Sequence, residues 1–352
     1  MLLPIISRYS DAFKLAGISI SDAEILSAKL KESHRFYHNE SHISDILDNI
    51  EKKYPDNTNA KDKTILILTA FFHDAIYDPR RKDNEQLSVE FFRKCISSGG
   101  CNEENAEAIC QIILDTRNHK PSSELSGVFC DLDLYGLRHG DTQRVFTDEQ
   151  NIFKEFQFYD YSDYKSGRIQ FLEAYRQTIN NDVNVDFLKS YLSFRRPKIG
   201  VYAGSFNPLH IGHRNIIQKA EILFDKVIIA KGHNPEKKNY IDGADILLCN
   251  TPEVQKMSLQ KELPYHQVEV FEGFLTDFVA SKSTDADVFI VRGLRNGKDL
   301  DYEVNQLRFM EGLDPRVKMV FIHCDKEHEH ISSSAIRLLE GIKKGSADQY
   351  IK

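Results

Sequence analysis

The run KIGVYAGSFNPLHIGH, residues 198–213, decides how the C-terminal half of this 352-residue chain folds. Ile199, Val201 and Tyr202 make a short apolar strand, Gly204 and Pro208 break it, and Ile216, Ile217, Ala220, Leu223 and Phe224 then mark one face of a helix. Gly204 and Gly212 permit close backbone approach. His210 and His213 stand where the helix begins and its free N–H groups favour an anionic phosphate. Working outward, apolar runs at 226–230, 268–271, 288–291 and 319–323 join 198–203 as strand candidates, separated by helical stretches. Strand alternating with helix predicts an α/β domain with a mainly parallel sheet.

Two further segments suit phosphate. Val291-Arg292-Gly293-Leu294-Arg295 ends a predicted strand, and a guanidinium forks onto phosphate oxygens. Ile331 to Arg337, ISSSAIR, starts a helix and supplies hydroxyls and N–H groups. Each of the three elements sits where a strand ends or a helix begins, which is where α/β domains bind ligands.

These residues resemble the HxGH nucleotidyltransferases, most closely the phosphopantetheine adenylyltransferases, over roughly residues 198–350. GSFNPLHIGH, NPEKK, VRGLRNGKDLDYE and ISSSAIR occur in that family's order. The resemblance implies a Rossmann-like domain that joins 4′-phosphopantetheine to the AMP part of ATP, with Mg²⁺, releasing pyrophosphate and giving dephospho-CoA. It implies ATP binding by Ser205, Phe206, His210, His213, Gly293, Leu294, Arg295, Glu303, Ser332, Ser333 and Ser334. Ser205, Lys237, Leu275 and Arg292 would hold the acceptor, with His213, Lys237 and Arg292 acting in the transfer itself. A substrate phosphate attacks the α-phosphorus, so the protein's work is alignment and charge stabilisation. A homo-oligomer through the transferase domain is expected. The family's Thr and Asp in the first loop are Ser205 and Asn207 here, and its basic, Arg-containing helix start after Lys238 reads Asn-Tyr-Ile-Asp-Gly-Ala-Asp. Another phosphorylated acceptor, such as nicotinamide mononucleotide, is the alternative.

Residues 1 to about 180 have a different texture. Apolar residues recur at helical spacing in Ile43-Ile46-Leu47-Ile50 and Phe91-Phe92-Cys95-Ile96, and β alternation is scarce, which predicts an all-α domain. The boundary falls near 180–197, giving domains 1–190 and 197–352. His38 and His42 precede a helix, His73-Asp74 ends the apolar run 65–72, and His119 and Asp133 follow. Imidazole nitrogens and carboxylate oxygens suit a divalent transition metal. The stretches YHNESHI, FHDAIYD, NEQLS and DLDLYG resemble the HD superfamily of metal-dependent phosphohydrolases over roughly residues 20–180. Carried over, His42, His73, Asp74 and Asp133 would hold the metal. His38 competes with His42, and His119 would serve a second metal or a substrate phosphate. A non-hydrolytic sensor regulating the transferase is the alternative for this domain.

Composition bounds the rest. Lys and Arg number 46 against 53 Asp and Glu, a formal net charge of −7, which argues against a chain-wide polybasic surface for nucleic acid or membrane. No apolar run is long enough to span a bilayer, and the opening MLLPIISRYSDAFKLAG lacks the pattern of a signal peptide. Six cysteines without a C-x-x-C pair fit free thiols in a reducing cytoplasm. The aromatic group Phe153, Phe156, Phe158, Tyr159, Tyr161 and Tyr164 reads as packing. Glu327-His328-Glu329-His330 reads as a solvated loop, with His328 and His330 near the ATP by family position.

Overall fold

The computed structural model describes residues 2–55, 59–96, 100–233 and 251–351. NPEKK, with Lys237, the Asn-Tyr-Ile-Asp-Gly-Ala-Asp stretch and Cys249 lie outside the described residues. The chain forms two compact units: Met1–Glu155 with Arg168–Tyr191, and Phe156–Gly167 with Leu192–Lys352. No described helix is long and apolar enough to cross a membrane.

The regular elements of the first unit are all helices among its described residues. Its centre is the helix Ala60–Phe72, in which all eight residues from Ile65 to Phe72 are buried. A helix that is apolar all round belongs in a core. It ends at His73, so the core itself carries the His-Asp pair to its rim. The helix Glu40–Lys53 is capped by Asn39 Oδ1 accepting from Ser41 N–H at 2.9 Å. It buries His42, Ile43, Ile46, Leu47, Asn49 and Ile50. His42 is therefore the first residue of an inward stripe. Glu124–Asp133 is capped by Ser123 and delivers Asp133 at its last position. The opening residues form two short helices, Pro4–Arg8 and Ser10–Leu15, whose Ile5, Ile6 and Phe13 enter the same core.

The second unit is a five-stranded parallel sheet of β1 (Lys198–Gly204), β2 (Lys226–Gly232), β3 (Gln267–Phe271), β4 (Asp287–Leu294) and β5 (Met319–His323), in the order β3-β2-β1-β4-β5. The strand order reverses between β1 and β4, so a crevice opens at their carboxyl ends. Side chains alternate between two cores. Tyr202, Val227, Ile229 and Val291 face the helix Ile211–Leu223, while Val201, Ile228, Ala230 and Ile290 face Leu275–Lys282. Gly200 lets β1 pass under Phe224, whose ring would lie 2.7 Å from a Cβ there.

Three of the strands run further than their apolar runs suggest, to Gly204, Gly232 and Leu294, because parallel pairing continues through Gly204↔Lys231, Gly232↔Phe271 and Leu294↔His323. Most of the expected interruption at 180–197 is the helix Asp182–Phe194, preceded by left-handed Asn180 at φ 48°.

Candidate functional site

In the second unit the loop after β1 turns through Phe206, held at φ 42°, and a cis Asn207–Pro208 bond into His210. His210 caps the following helix. Its Nδ1 accepts from His213 N–H at 3.3 Å, and His213 Nδ1 accepts from His210 N–H at 3.3 Å. The rings stack at 3.6 Å. An Nδ1 that accepts a backbone N–H carries no proton, so each neutral ring carries its proton on Nε2. Burial pushes His210 down to about 4, with Arg295 and His328 adding to the effect. Burial likewise holds His213 well below the ordinary value, helped by His210, Arg295 and Lys231. Both rings are neutral donors at pH 7. Gly212 is what allows the arrangement, since a Cβ there would lie 3.1 Å from His210 Nδ1.

These groups open on a cavity of about 370 Å³ at the β1–β4 crevice. Of the sequence-derived residues, Ser205, His210, His213, Arg292, Gly293, Leu294, Arg295, Glu303, Ser332 and Ser333 line it. Arg292 Nη1 donates to Ala203 O at 2.8 Å, and its Nε stands 3.1 Å from Glu303 Oε2. Arg295 grips Asp299 through Nε and Nη2 at 2.9 and 3.0 Å, and the backbone N–H of Arg295 donates to the same carboxylate at 3.0 Å. Burial raises the Glu303 carboxyl against the pull of Arg292. Ser332 caps the helix Ser333–Ile342. Ser333 Oγ donates to Pro208 O at 3.0 Å, and Arg337 donates to Asn207 O, so the ISSS turn is tied to the His loop. Two helix N-termini, Ile211–Leu223 and Ser333–Ile342, thus meet at one cavity, which suits anionic phosphates.

Three assigned residues fall elsewhere. Phe206 is buried beneath the loop, edge-on to Tyr202 and His213. Leu275 belongs to the core on the other face of the sheet. Ser334 is exposed and accepts from Arg337 at 3.1 Å. Tyr202, Asp299, Tyr302 and Cys324 also line the cavity, and His328 joins them. Tyr202 could have been found, because strand alternation puts it on the same face as Gly204; Cys324 carried no signal.

In the first unit, His42, His73 and Asp133 place one ligand atom each within 4.8 Å of one another. Asp133 Oδ1 lies 3.0 Å from His42 Nε2 and 3.5 Å from His73 Nε2, while Oδ2 lies 3.1 Å from His119 Nε2. Asp74 Oδ2 is 3.0 Å from His73 Nε2. Burial would push His73 down, but Asp74 and Asp133 outweigh it and hold the imidazole well above its usual value. Burial would likewise raise Asp133, but hydrogen bonds from His119, His42 and His73 hold it well below the carboxylate range. His119 reaches the cluster from a left-handed backbone at φ 50°. His38 is not one of the three grouped ligands, although its ring centroid lies 5.9 Å from that of His42. Its ring is stacked on Tyr77 at 4.3 Å, and its Nδ1 is 2.6 Å from Glu155 Oε2.

Sequence reasoning missed the supports. Buried Glu155 also accepts from the backbone N–H of Tyr37 and His38 and from Tyr77 Oη. Arg35, buried, donates to the carbonyls of His38, Asp74 and Ala75, fixing the His-Asp turn. Neither carries a local pattern, since each acts on residues distant along the chain.

Residues 201–339 match the cytidylyltransferase-like family. A phosphopantetheine adenylyltransferase from Acidovorax sp. (strain JS42) is 34% identical over 44% of this chain and 87% of its own length. One from Mycoplasma capricolum is 35% identical over 42% and 99%. One from Clostridium botulinum (strain Hall) is 34% identical over 40% and 80%.

Proposed function

Because this chain belongs, through its C-terminal unit, to the phosphopantetheine adenylyltransferase family of nucleotidyltransferases, we propose that it transfers the adenylyl group of ATP to 4′-phosphopantetheine. The carrying observation is the convergence of two helix N-termini, two Nε2–H donors and two arginines on one cavity at the sheet's reversal. An acceptor phosphate oxygen attacks the α-phosphorus and pyrophosphate leaves with the electron pair of the broken P–O bond. Donors fixed before the reaction stabilise the charge without reorganising, which is where such catalysis gains most. Glu303 and Asp299 orient the two guanidinium forks. Mg²⁺ accompanies ATP. Incubating the full chain with ATP and a panel of phosphorylated acceptors, while following pyrophosphate, tests the reading. Release with 4′-phosphopantetheine is expected, and release only with another acceptor, such as nicotinamide mononucleotide, overturns the acceptor assignment.

For the N-terminal unit we propose an HD-type metal-dependent phosphohydrolase. The donor set supports it: two imidazoles and a carboxylate within 4.8 Å, with Asp74 and His119 adjoining, and a buried His73 Nε2 that faces the carboxylates of both Asp74 and Asp133. His42, His73, Asp74 and Asp133 would hold the ion. A divalent cation there would lower the pKa of a bound water and neutralise charge developing on a phosphorus. Replacing His73 and Asp74 together by Ala is expected to abolish bound transition metal and phosphatase activity while adenylyl transfer survives. Metal analysis beside both assays checks this. Full metal occupancy in the double variant sinks the ligand assignment, and loss of transfer from a folded protein favours the sensor reading.

A further inference from the structure

Two lysines lie buried on β2, and they differ in their surroundings. Lys226, 1% exposed, donates to Tyr159 O and Gln267 Oε1 and feels the carboxylates of Asp160 and Glu269. Among the described residues Lys231, 6% exposed, has one hydrogen bond, to the carbonyl oxygen of Ser205, and no carboxylate within ion-pair distance. Burial pushes it down to about 8. Taking an ammonium out of water is costly, and among the described residues this one meets neither a counter-charge nor an acceptor for two of its three N–H groups.

Its place in the sheet says what could meet it. Lys231 pairs with Gly204 across β1, at the carboxyl end of both strands. Alternation puts it on the face of Val227 and Ile229, the face shared by Tyr202, Gly293 and the helix that carries His213. Its charge is felt by His213, and its hydrogen-bond partner Ser205 lines the cavity.

We infer that the Lys231 ammonium is a binding group for the phosphate of the acceptor, pairing with that anion at the β1–β2 side of the cavity while it supports the Ser205 loop. This rests on the adenylyltransferase reading and adds a residue that sets affinity for phosphorylated over unphosphorylated acceptors. The two arginines hold the β4 side of the same cavity.

The test uses the full chain with K231M, which removes charge and donor, and K231Q, which keeps a donor for Ser205 O without the charge. Steady-state kinetics with ATP and 4′-phosphopantetheine, and equilibrium binding of 4′-phosphopantetheine and of pantetheine without ATP, are measured for each. Both variants are expected to raise the acceptor KM roughly 10- to 100-fold, the value of a charge-assisted hydrogen bond. KM for ATP stays near wild type, and the preference for 4′-phosphopantetheine over pantetheine collapses. K231Q with a wild-type acceptor KM overturns the inference, because the lysine would then only support the loop. Parallel rises for ATP and acceptor overturn it also. Should K231M fail to fold, K231Q carries the comparison. If the wild type transfers only to another phosphorylated acceptor, the reading of 4′-phosphopantetheine fails alone, and Lys231 is judged on that acceptor. A wild type that binds no phosphorylated acceptor overturns both.

Discussion

His213 starts a helix with the same imidazole that presents a proton to the cavity, so its removal has two separable costs. His213→Ala deletes one half of a reciprocal cap, worth about 1 kcal/mol of stability, and one positioned donor, worth roughly 100- to 1000-fold in kcat. Thermal melting beside pyrophosphate release distinguishes them. Unchanged turnover would remove His213 from the reaction. The pair also makes stability depend on pH. His210 titrates near 4 in the folded protein against 6.5 for a free imidazole, and His213 is shifted the same way. Between those values the unfolded chain binds more protons, so stability is full above 6.5 and is lost as pH falls through the window. Urea midpoints measured from pH 7 to 4 are expected to decline, and His210→Gln is expected to flatten the slope.

At the scale of elements, glycine 212 shows how a helix start is subordinated to its ligands. Alanine in a helix is ordinarily worth about 1 kcal/mol over glycine, yet a Cβ there would crowd His210 Nδ1 at 3.1 Å. Gly212→Ala is expected to lower kcat by about tenfold or more while changing Tm by no more than about 3 °C, since propensity and crowding oppose each other. Activity and melting on one preparation check it. The positions of the strands were readable because Val227, Ile228 and Ile229, like Val288 and Ile290, are consecutive or alternating apolar residues. The strand ends were not, because a lysine after Ala230 reads as the edge of an apolar run although Lys231 is buried. The His, Arg and Ser elements of the cavity were legible as local motifs. Glu155 and Arg35 were not, since a buried charge that hydrogen-bonds a distant loop leaves no periodicity.

For the whole molecule, the division of the chain matters more than its length. Residues 156–167 belong to the later unit. Gln157 accepts from Val227 N–H at 3.1 Å and donates to Glu221 at 2.9 Å, and Asp160 accepts from Gln267 at 2.9 Å. Composition does not mark this interleaving, because the aromatic residues of the segment suit either core. A fragment beginning at Pro197 loses these partners and leaves the buried Lys226 ammonium without Tyr159 O. It is expected to melt about 5 °C or more below one beginning at Phe156, given several hydrogen bonds of about 1 kcal/mol each. Calorimetry of the two fragments checks the difference, and equal melting temperatures would show the segment to be dispensable.

During synthesis the same interleaving sets an order of events. Phe156, Tyr161 and Tyr164 leave the ribosome before Tyr191, which completes the first unit, while the residues they belong with are still unmade. Tyr161 Oη donates to Leu192 O, one residue beyond that point. A product that stops at Tyr191 therefore carries all of the helical unit with an internal aromatic segment, residues 156–167, that has no destination, the kind of chain that chaperones and proteases recognise.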